Sequence, residues 1–241
     1  MTNVKPDIAC LACQSSKTEL TPYIDKPFYG DDIIDFSKMQ ICFCWDCGFG
    51  YSIPEVEGNL LDKFYSIQYR AKSSIHFIDF PRLTKPKISQ CKNGIEHLLL
   101  ARNFTKVESE DYFLDIGPGP GWHFPVALLF LENPKLFAIE YNKIAADAYN
   151  RLYGAKSFSG FKDIKEEIGN NQFKFIISSQ SLEHFSFNGL KTLLYEVHRL
   201  LLSNGVFLIE VPHADMRIHL KIRSGNIFSS KIAESHSGTQ S

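Results

Sequence analysis

The sequence lacks three features that would each define a class of protein. It has no apolar run of the roughly 18 residues needed to cross a bilayer, and its first residues lack the apolar stretch of a secretory signal. It also lacks an excess of charge, because its formal net charge is −1, which gives no basic surface for nucleic acid or for an anionic membrane. We therefore expect a cytoplasmic protein that binds neither membranes nor nucleic acid.

Disulfides are not expected in that compartment, which directs attention to the placement of the cysteines. Cys10 and Cys13 form one C-x-x-C pair, and Cys44 and Cys47 form another. Each pair can turn the backbone so that both thiolates face one ion, and two pairs complete a closed Cys₄ zinc site. The alternatives are metal-free cysteines or a redox dithiol, which needs a thioredoxin-like context that the sequence lacks. Cys42 is expected to be a buried or spare thiol.

A second feature is an apolar run that ends at Asp115 and leads into Gly117, Gly119 and Gly121. A strand followed by such a turn lets a ligand approach the backbone closely. The dinucleotide fingerprint needs a glycine where this chain has Trp122, and Asp115 would repel a pyrophosphate, so a nicotinamide oxidoreductase is disfavoured. A ligand that carries an ammonium group, such as S-adenosylmethionine, suits Asp115.

Hydrophobic periodicity predicts alternating helices and strands around this turn. Glu140 follows the next predicted strand, where a carboxylate can accept hydrogen bonds from both ribose hydroxyls. Asn142 is the expected N-cap of a helix that ends at Gly154. The last predicted helix covers 188–202 and ends at Ser203-Asn-Gly, before a strand over 206–211. Further predicted elements are helices over 94–103 and 122–131 and a strand over 173–178.

Three motifs, at residues 114–121, 138–140 and 175–184, resemble those of class I S-adenosylmethionine-dependent methyltransferases. The resemblance covers residues 90 to 213 and implies an α/β, Rossmann-like sheet that binds S-adenosylmethionine at its carboxyl edge. It implies that Phe161 stacks on the adenine and that Asp163 accepts from the adenine amine, although Asp163 also suits a helix cap. The expected cofactor-binding residues are Asp115, Gly117, Gly119, Gly121, Glu140, Phe161, Asp163, Ser179 and Gln180.

Three residues at the same edge are candidates for catalysis. Glu183 and His184 follow the predicted fourth strand, and His213 follows the fifth. A histidine with an ordinary pKa near 6.5 can act as a general base for a substrate proton. The alternatives are a structural corner formed by Leu-Glu-His and, for His213, an ordinary loop histidine.

The front of the chain is similar to that of deoxysugar C-methyltransferases. In that group, paired cysteines precede an aromatic and serine-rich stretch like residues 64–74. The resemblance implies that Tyr65, Tyr69, Ser73 and Ser74 lie near the substrate, whereas an amphipathic connecting helix is the alternative. We expect a small-molecule acceptor, such as a sugar nucleotide or glycan precursor, and the sequence does not identify the acceptor atom.

These observations predict three parts: a zinc-ribbon-like module over 1–58, a helical connector over 59–105 and the Rossmann-like domain over 106–241. A complete class I methyltransferase continues further past its fifth strand, so we expect a truncated sheet that lacks the last strands. The fifth strand would then have an exposed edge that favours self-association. The competing hypothesis is a catalytically impaired methyltransferase-like binding or scaffold protein.

Overall fold

The computed structural model of the protein describes residues 8–21, 33–35, 38–69, 85–106 and 108–211. These residues form two compact units, which divide between Leu60 and Leu61. Three residues named above, Ser73, Ser74 and His213, lie outside the described residues. The division at residues 58 and 105 stays a prediction.

The first unit contains a small antiparallel sheet in the order β1-β2-β3. Its strands are β1 (Thr18–Leu20), β2 (Gln40–Cys44) and β3 (Gly50–Ile53). Thr18 pairs with Cys44, and Phe43 pairs with Gly50. A turn over residues 45–47 joins β2 to β3, so this hairpin carries both cysteines of the second pair.

The second unit is built on a parallel sheet whose order among the described residues is β6-β5-β4-β7-β8. The strands are β4 (Tyr112–Ile116), β5 (Lys135–Ile139), β6 (Lys156–Phe158), β7 (Phe173–Ser179) and β8 (Leu201–Glu210). The chain builds one half outward from β4 and then crosses to β7, so the switch point lies between β4 and β7. In open α/β sheets, ligands bind at the carboxyl edge beside this point.

Helices cover both faces of the parallel sheet. One face is covered by α2 (Lys85–Arg102), α3 (His123–Phe130) and α4 (Lys143–Tyr153), and the other by α5 (Phe161–Glu167) and α6 (Phe187–Leu200). Before them, α1 (Gly58–Lys63) begins just before the unit boundary and runs into a π-helical segment (Phe64–Tyr69). A 3₁₀ turn covers Leu182–His184. Among the described residues, none of these helices combines the length and the apolar character required to span a membrane.

Two apolar cores hold the sheet between these helices. Because successive strand residues point to opposite faces, Phe113 packs with α2, α3 and α4, whereas Leu114 and Ile116 pack with α5 and α6. Asp115 points to the same face as Phe113 and is only 1% exposed. A carboxylate is therefore placed inside an apolar layer, at the carboxyl end of the central strand.

Local sequence signals position α4 as predicted. The side chain of Asn142 accepts a hydrogen bond from the Ala145 amide at 3.0 Å, which satisfies a donor in the first turn. Gly154 ends the helix in the left-handed conformation, with φ of 69°. The start of α4 therefore lies close behind Glu140, which directly follows β5 at the edge of the sheet.

The predicted boundary between the last helix and the fifth strand is wrong. The helix ends at Leu200, and β8 begins at Leu201, so Ser203-Asn-Gly lies within the strand. Its pairing with β7 shifts register between Phe173 and Phe175, and a Cβ on Gly205 would lie 2.8 Å from the Phe173 carbonyl oxygen. Strand pairing overrides the turn signal because the glycine fits this close backbone approach.

Candidate active site and metal centre

The three predicted glycines form a left-handed turn directly after β4. Gly117, Gly119 and Gly121 have φ of 66°, 57° and 74°, a region that side chains disfavour. A Cβ on Gly117 would lie 2.4 Å from Oγ of Ser181, on the loop that follows β7. The turn therefore lies directly against the β7 loop at the switch point, and the missing side chain at Gly117 is required there.

Tyr149 of α4 connects this turn to Glu140. Its hydroxyl donates to the Gly119 carbonyl and lies 3.2 Å from Oε2 of Glu140, while its ring lies against Gly121. The other carboxylate oxygen of Glu140 accepts from the Asn142 amide at 2.9 Å. Each carboxylate oxygen can accept more than one hydrogen bond, so Glu140 is oriented by the protein and can still accept from a ligand.

Asp115 has one oxygen paired and one unpaired within the described part of the chain. Its Oδ2 accepts from Nδ1 of His123 at 2.7 Å, and both side chains are 1% exposed. Oδ1 is buried and has no hydrogen-bond partner. An unpaired buried carboxylate oxygen is costly, and a cationic donor from a ligand would satisfy it.

The end of β7 and the segment that follows it contain four of the predicted site residues. Ser179 ends the strand and donates to the carboxylate of Glu210 on β8, and Gln180 has φ of 53°. A non-glycine residue in this conformation is strained, and such strain is common at functional sites. Glu183 and His184 lie in the 3₁₀ turn, where the His184 ring is 5.1 Å from the Tyr65 ring, centroid to centroid.

The predicted adenine contacts lie at the start of α5. Phe161 is partly buried against the core on that face of the sheet. Oδ2 of Asp163 accepts from the Ser159 hydroxyl at 2.6 Å, so this carboxylate is already oriented from the end of β6. The adenine role of both residues stays a prediction.

The electrostatics of the edge around Glu140 favour positive ligands. Burial raises the pKa of the Tyr141 hydroxyl, and the carboxylates of Asp62 and Glu140 raise it further. A negative potential at this position opposes the loss of the phenolic proton and would attract a cation.

In the first unit, the structure brings together the four cysteines of the two C-x-x-C pairs. Their sulfur atoms all lie within 4.8 Å of one another, with 3.6 Å between Sγ of Cys10 and Cys47 and between Sγ of Cys13 and Cys44. A tetrahedral zinc ion with Zn–S distances of about 2.3 Å separates its sulfur ligands by about 3.8 Å. The cluster therefore fits zinc, and Cys42 is buried outside it.

Backbone amides support thiolate formation at Cys44, whereas the pKa values of Cys13 and Cys47 are raised by burial and by neighbouring thiols. The N–H groups of Cys47 and Asp46, together with neighbouring thiols, lower the pKa of Cys44 to about 7 against the opposing effect of burial. In both pairs, the amide four residues after the first cysteine donates to that cysteine's carbonyl, from Gln14 to Cys10 and from Gly48 to Cys44. The two C-x-x-C pairs thus form turns with the same backbone hydrogen bond.

Comparison with known proteins identifies the family of the chain. The sequence profile of a methyltransferase domain family matches residues 90–233, which include most of α2 and the whole parallel sheet. The chain belongs to this methyltransferase domain family. No curated protein matches the chain. The predicted Rossmann-like α/β fold of a class I methyltransferase is confirmed, whereas the similarity to deoxysugar enzymes gains no support.

Solved structures similar to this methyltransferase domain are distant from it. One is an S-adenosylmethionine-dependent methyltransferase from Geobacter sulfurreducens in complex with S-adenosyl-L-homocysteine, at 14% identity and a TM-score of 0.36, covering 66% of this chain and 60% of that one. Another is Haemonchus contortus phosphoethanolamine N-methyltransferase 2 in complex with S-adenosyl-L-methionine, at 15% identity and 0.41, covering 77% and 44%. The chain spans less than two thirds of the length of either.

The methyltransferase domain also contains three polar residues that the sequence analysis missed. His123 is buried beside Asp115, His97 contacts His123 from α2, and Glu210 contacts His97 from β8. One sequence signal was available, because His123 begins an otherwise apolar helix and a lone polar residue there needs a partner. The partners of His123 were not evident, since Asp115 and His97 belong to two other elements.

Proposed function

We propose that this chain binds S-adenosylmethionine at the carboxyl edge of the parallel sheet and transfers its methyl group to a small molecule. The observation that carries the proposal is the buried Oδ1 of Asp115, which lacks a partner beside three glycines in the left-handed conformation. The amino acid ammonium of S-adenosylmethionine would satisfy that oxygen. Glu140, held by Asn142 and Tyr149, would accept the ribose hydroxyls.

The remaining predicted residues complete the proposed cofactor site. Ser179 and Gln180 would border the methionine part, whereas Phe161 and Asp163 would contact the adenine. S-adenosylmethionine supplies the reactive methyl group, and the chain contributes mainly the alignment of the two reactants.

We propose His184 as the general base for an acceptor that must lose a proton, with Glu183 and His213 beside the acceptor. The contact between the Tyr65 and His184 rings supports this role, because Tyr65 belongs to the stretch that the resemblance assigns to the substrate. A sugar nucleotide or glycan precursor is the acceptor that this resemblance favours.

Calorimetric titration with S-adenosylmethionine tests the cofactor site. Gly119→Val should abolish binding because a β-branched residue is strongly disfavoured at φ of 57°. Asp115→Ala should also abolish it. Gly58→Val is the matched control, since a Cβ at Gly58 meets nothing within 4 Å. Unchanged affinity in both site variants would overturn the assignment.

Turnover distinguishes an enzyme from a scaffold. We expect S-adenosylhomocysteine to form when the protein, S-adenosylmethionine and a panel of sugar nucleotides are combined. Binding of the cofactor without product from any small acceptor would instead favour the catalytically impaired alternative.

We further propose that Cys10, Cys13, Cys44 and Cys47 hold one structural zinc ion as four thiolates. The common separation of their sulfur atoms supports this assignment. Elemental analysis of the purified protein should find one zinc per chain, and Cys44→Ser should lose it. A wild-type protein prepared with zinc but free of metal would contradict the proposal.

A further inference from the structure

A continuous line of polar side chains crosses the interior of the methyltransferase domain. Nδ1 of His123 lies 2.7 Å from Oδ2 of Asp115, and its Nε2 lies 3.0 Å from Nδ1 of His97. Nε2 of His97 lies 3.6 Å from Oε2 of Glu210, which also accepts from the Ser179 hydroxyl. We call the four residues Asp115, His123, His97 and Glu210 the histidine relay.

The relay links the two halves of the sheet, from β4 in one half to β8 in the other. Asp115 lies near the end of β4 and Glu210 is the last residue of β8, so both carboxylates lie at the carboxyl edge. Gly94 permits the contact between the two histidines, because a Cβ there would lie 3.2 Å from Val126 and 3.5 Å from the His123 ring. The glycine lets α2 approach α3 closely enough for His97 to reach His123.

For two neutral imidazoles, the donors and acceptors along the relay fix the position of each proton. Asp115 as a carboxylate can only accept, so Nδ1 of His123 carries a proton, and Nε2 of a neutral His123 must accept from Nδ1 of His97. A neutral His97 then has no proton on Nε2 to give to Glu210. The 3.6 Å separation there, too long for a hydrogen bond, agrees with this count.

One added proton would complete the line of hydrogen bonds from Glu210 to Asp115. Protonation of Nε2 turns His97 into an imidazolium that pairs with Glu210, while the two hydrogen bonds toward Asp115 keep their direction. The side chains of Glu210 and His97 are 33% and 12% exposed, whereas Asp115 and His123 are each 1% exposed. The proton therefore enters from the Glu210 end.

We propose that His123 and His97 are positioning residues for the Asp115 carboxylate, and that release of a proton from His97 is coupled to binding of the cationic cofactor. The inference rests on the proposed function, since it assigns the relay to the S-adenosylmethionine site. The hydrogen bond from His123 occupies Oδ2 of Asp115, so Oδ1 is the oxygen that remains available to the cofactor. The protonation state of His97 changes the charge near that oxygen.

The surroundings of His97 set the direction of the coupling. Burial lowers the pKa of His97, and His123 on α3 lowers it further, whereas Glu210 on β8, Asp115 on β4 and Glu96 on α2 oppose this. The site is more negative when His97 is neutral, so a cation binds better at higher pH. Binding in turn lowers the pKa of His97 and releases a proton.

Histidine ¹⁵N NMR of the cofactor-free protein tests the proton count on its own. Above pH 7 we expect both imidazoles to be neutral with the proton on Nδ1, and His97 to gain a proton at Nε2 below its ordinary pKa near 6.5 on acidification. A proton on Nε2 of either neutral ring would overturn the relay. This measurement does not depend on whether S-adenosylmethionine binds.

Calorimetry in buffers of different ionisation enthalpy tests the coupling. Wild-type affinity for S-adenosylmethionine should rise roughly threefold to tenfold between about pH 4.5 and 7.5, because the lowered pKa of His97 lies below its ordinary value near 6.5. This rise should be accompanied by proton release and is the size expected for a charge on the order of 10 Å away. His97→Asn keeps an amide donor for His123 but cannot titrate, so it should bind nearly as well as wild type at the higher pH with no relay-linked proton. His97→Phe should bind weakly at both pH values.

The matched control is His198→Asn, which removes an exposed histidine from α6 and should keep the wild-type pH dependence. If His97→Asn also keeps that dependence, the proposed coupling is wrong. If no protein binds S-adenosylmethionine but the NMR pattern is as expected, the proposed function and the coupling that rests on it both fail, while the relay itself stands.

Discussion

The two units of this protein bury different kinds of side chain. Among the described residues of the first unit, the side chains with no exposed surface belong to Cys10, Cys42 and Cys44. In the sheet unit, the fully buried side chains are mostly large and apolar, such as Phe113 and Ile176. A three-stranded sheet with so few apolar contacts cannot offset its conformational entropy alone, whereas a five-stranded sheet between helices can.

This difference in buried side chains indicates which interactions stabilise each unit. The first unit should depend on its metal, since bringing four thiolates together is unfavourable without a cation. The sheet unit should depend on close packing, and Asp115, the one buried carboxylate among its described residues, is held by His123.

Removing a zinc ligand should have the largest effect. Structural zinc is worth about 10–16 kcal/mol in small zinc modules, so Cys44→Ser should unfold β1 to β3 and leave the sheet unit folded. Hydrogen exchange followed by mass spectrometry would show lost protection over residues 18–20 and 40–53 and unchanged protection in the sheet unit. Cys42→Ser is the matched control: it alters a buried thiol outside the cluster and should keep both the metal and the protection. Protection that persists in the Cys44 variant would show that the first unit needs no metal.

A single methyl group at the glycine turn should have the next largest effect. Gly117→Ala adds a Cβ at 2.4 Å from Oγ of Ser181 in a residue with φ of 66°, so we expect a loss of about 2–4 kcal/mol in the free energy of unfolding and no measurable cofactor binding. Urea unfolding and calorimetry measure the two effects.

Gly169→Ala is the control for backbone strain alone. Gly169 has φ of 88°, and a Cβ there meets nothing within 4 Å, so we expect a loss of about 1 kcal/mol with cofactor affinity unchanged. Equal losses in the two variants would show that the contact with Ser181 is unimportant and that packing at the switch point is looser than the structure indicates.

These differences also explain what the sequence could predict. The glycine turn, the Asn142 cap and the paired cysteines are local patterns, because the residues that define each lie within a few positions of one another, and the structure contains all three. The family resemblance supplied the Rossmann-like class of the sheet, which the parallel strand order confirms. Local chemistry therefore located the edge of the sheet where the candidate site lies.

The relay could not be predicted in the same way. Its four members, at positions 97, 115, 123 and 210, meet only because Gly94 lets two helices approach and because β8 pairs with β7. The incorrect end of the last helix has the same origin, since the pairing of β8 with β7 overrode a local turn signal at Ser203-Asn-Gly. Long-range packing determined both features.

Removing one hydroxyl should have an intermediate effect. Tyr149→Phe keeps the ring against Gly121 but leaves the Gly119 carbonyl and Glu140 without this donor, at a cost of about 1–2 kcal/mol. Cofactor affinity should fall several-fold, since Glu140 loses part of its orientation. Tyr195→Phe, at a residue that is 68% exposed, should change neither quantity in urea unfolding or calorimetry. A Tyr149 variant with full affinity would show that Glu140 is positioned without Tyr149.

Substitutions in the two turns of the metal site should have the smallest effect on stability. Gln14 and Gly48 occupy the same position in these turns, four residues after Cys10 and Cys44, but they are different residue types. Gln14 has φ of 64° and Gly48 has φ of 75°, and only glycine adopts this conformation without cost. Gln14→Gly should therefore stabilise the zinc-bound first unit by up to about 1 kcal/mol, less the weak 3.4 Å hydrogen bond from its side chain to the Leu11 carbonyl. Gly48→Ala should destabilise it by about 1 kcal/mol, because its Cβ would meet nothing within 4 Å and only backbone strain is added. Competition with a zinc chelator measures both changes, and changes of the same sign would show that the two halves of the site are not equivalent.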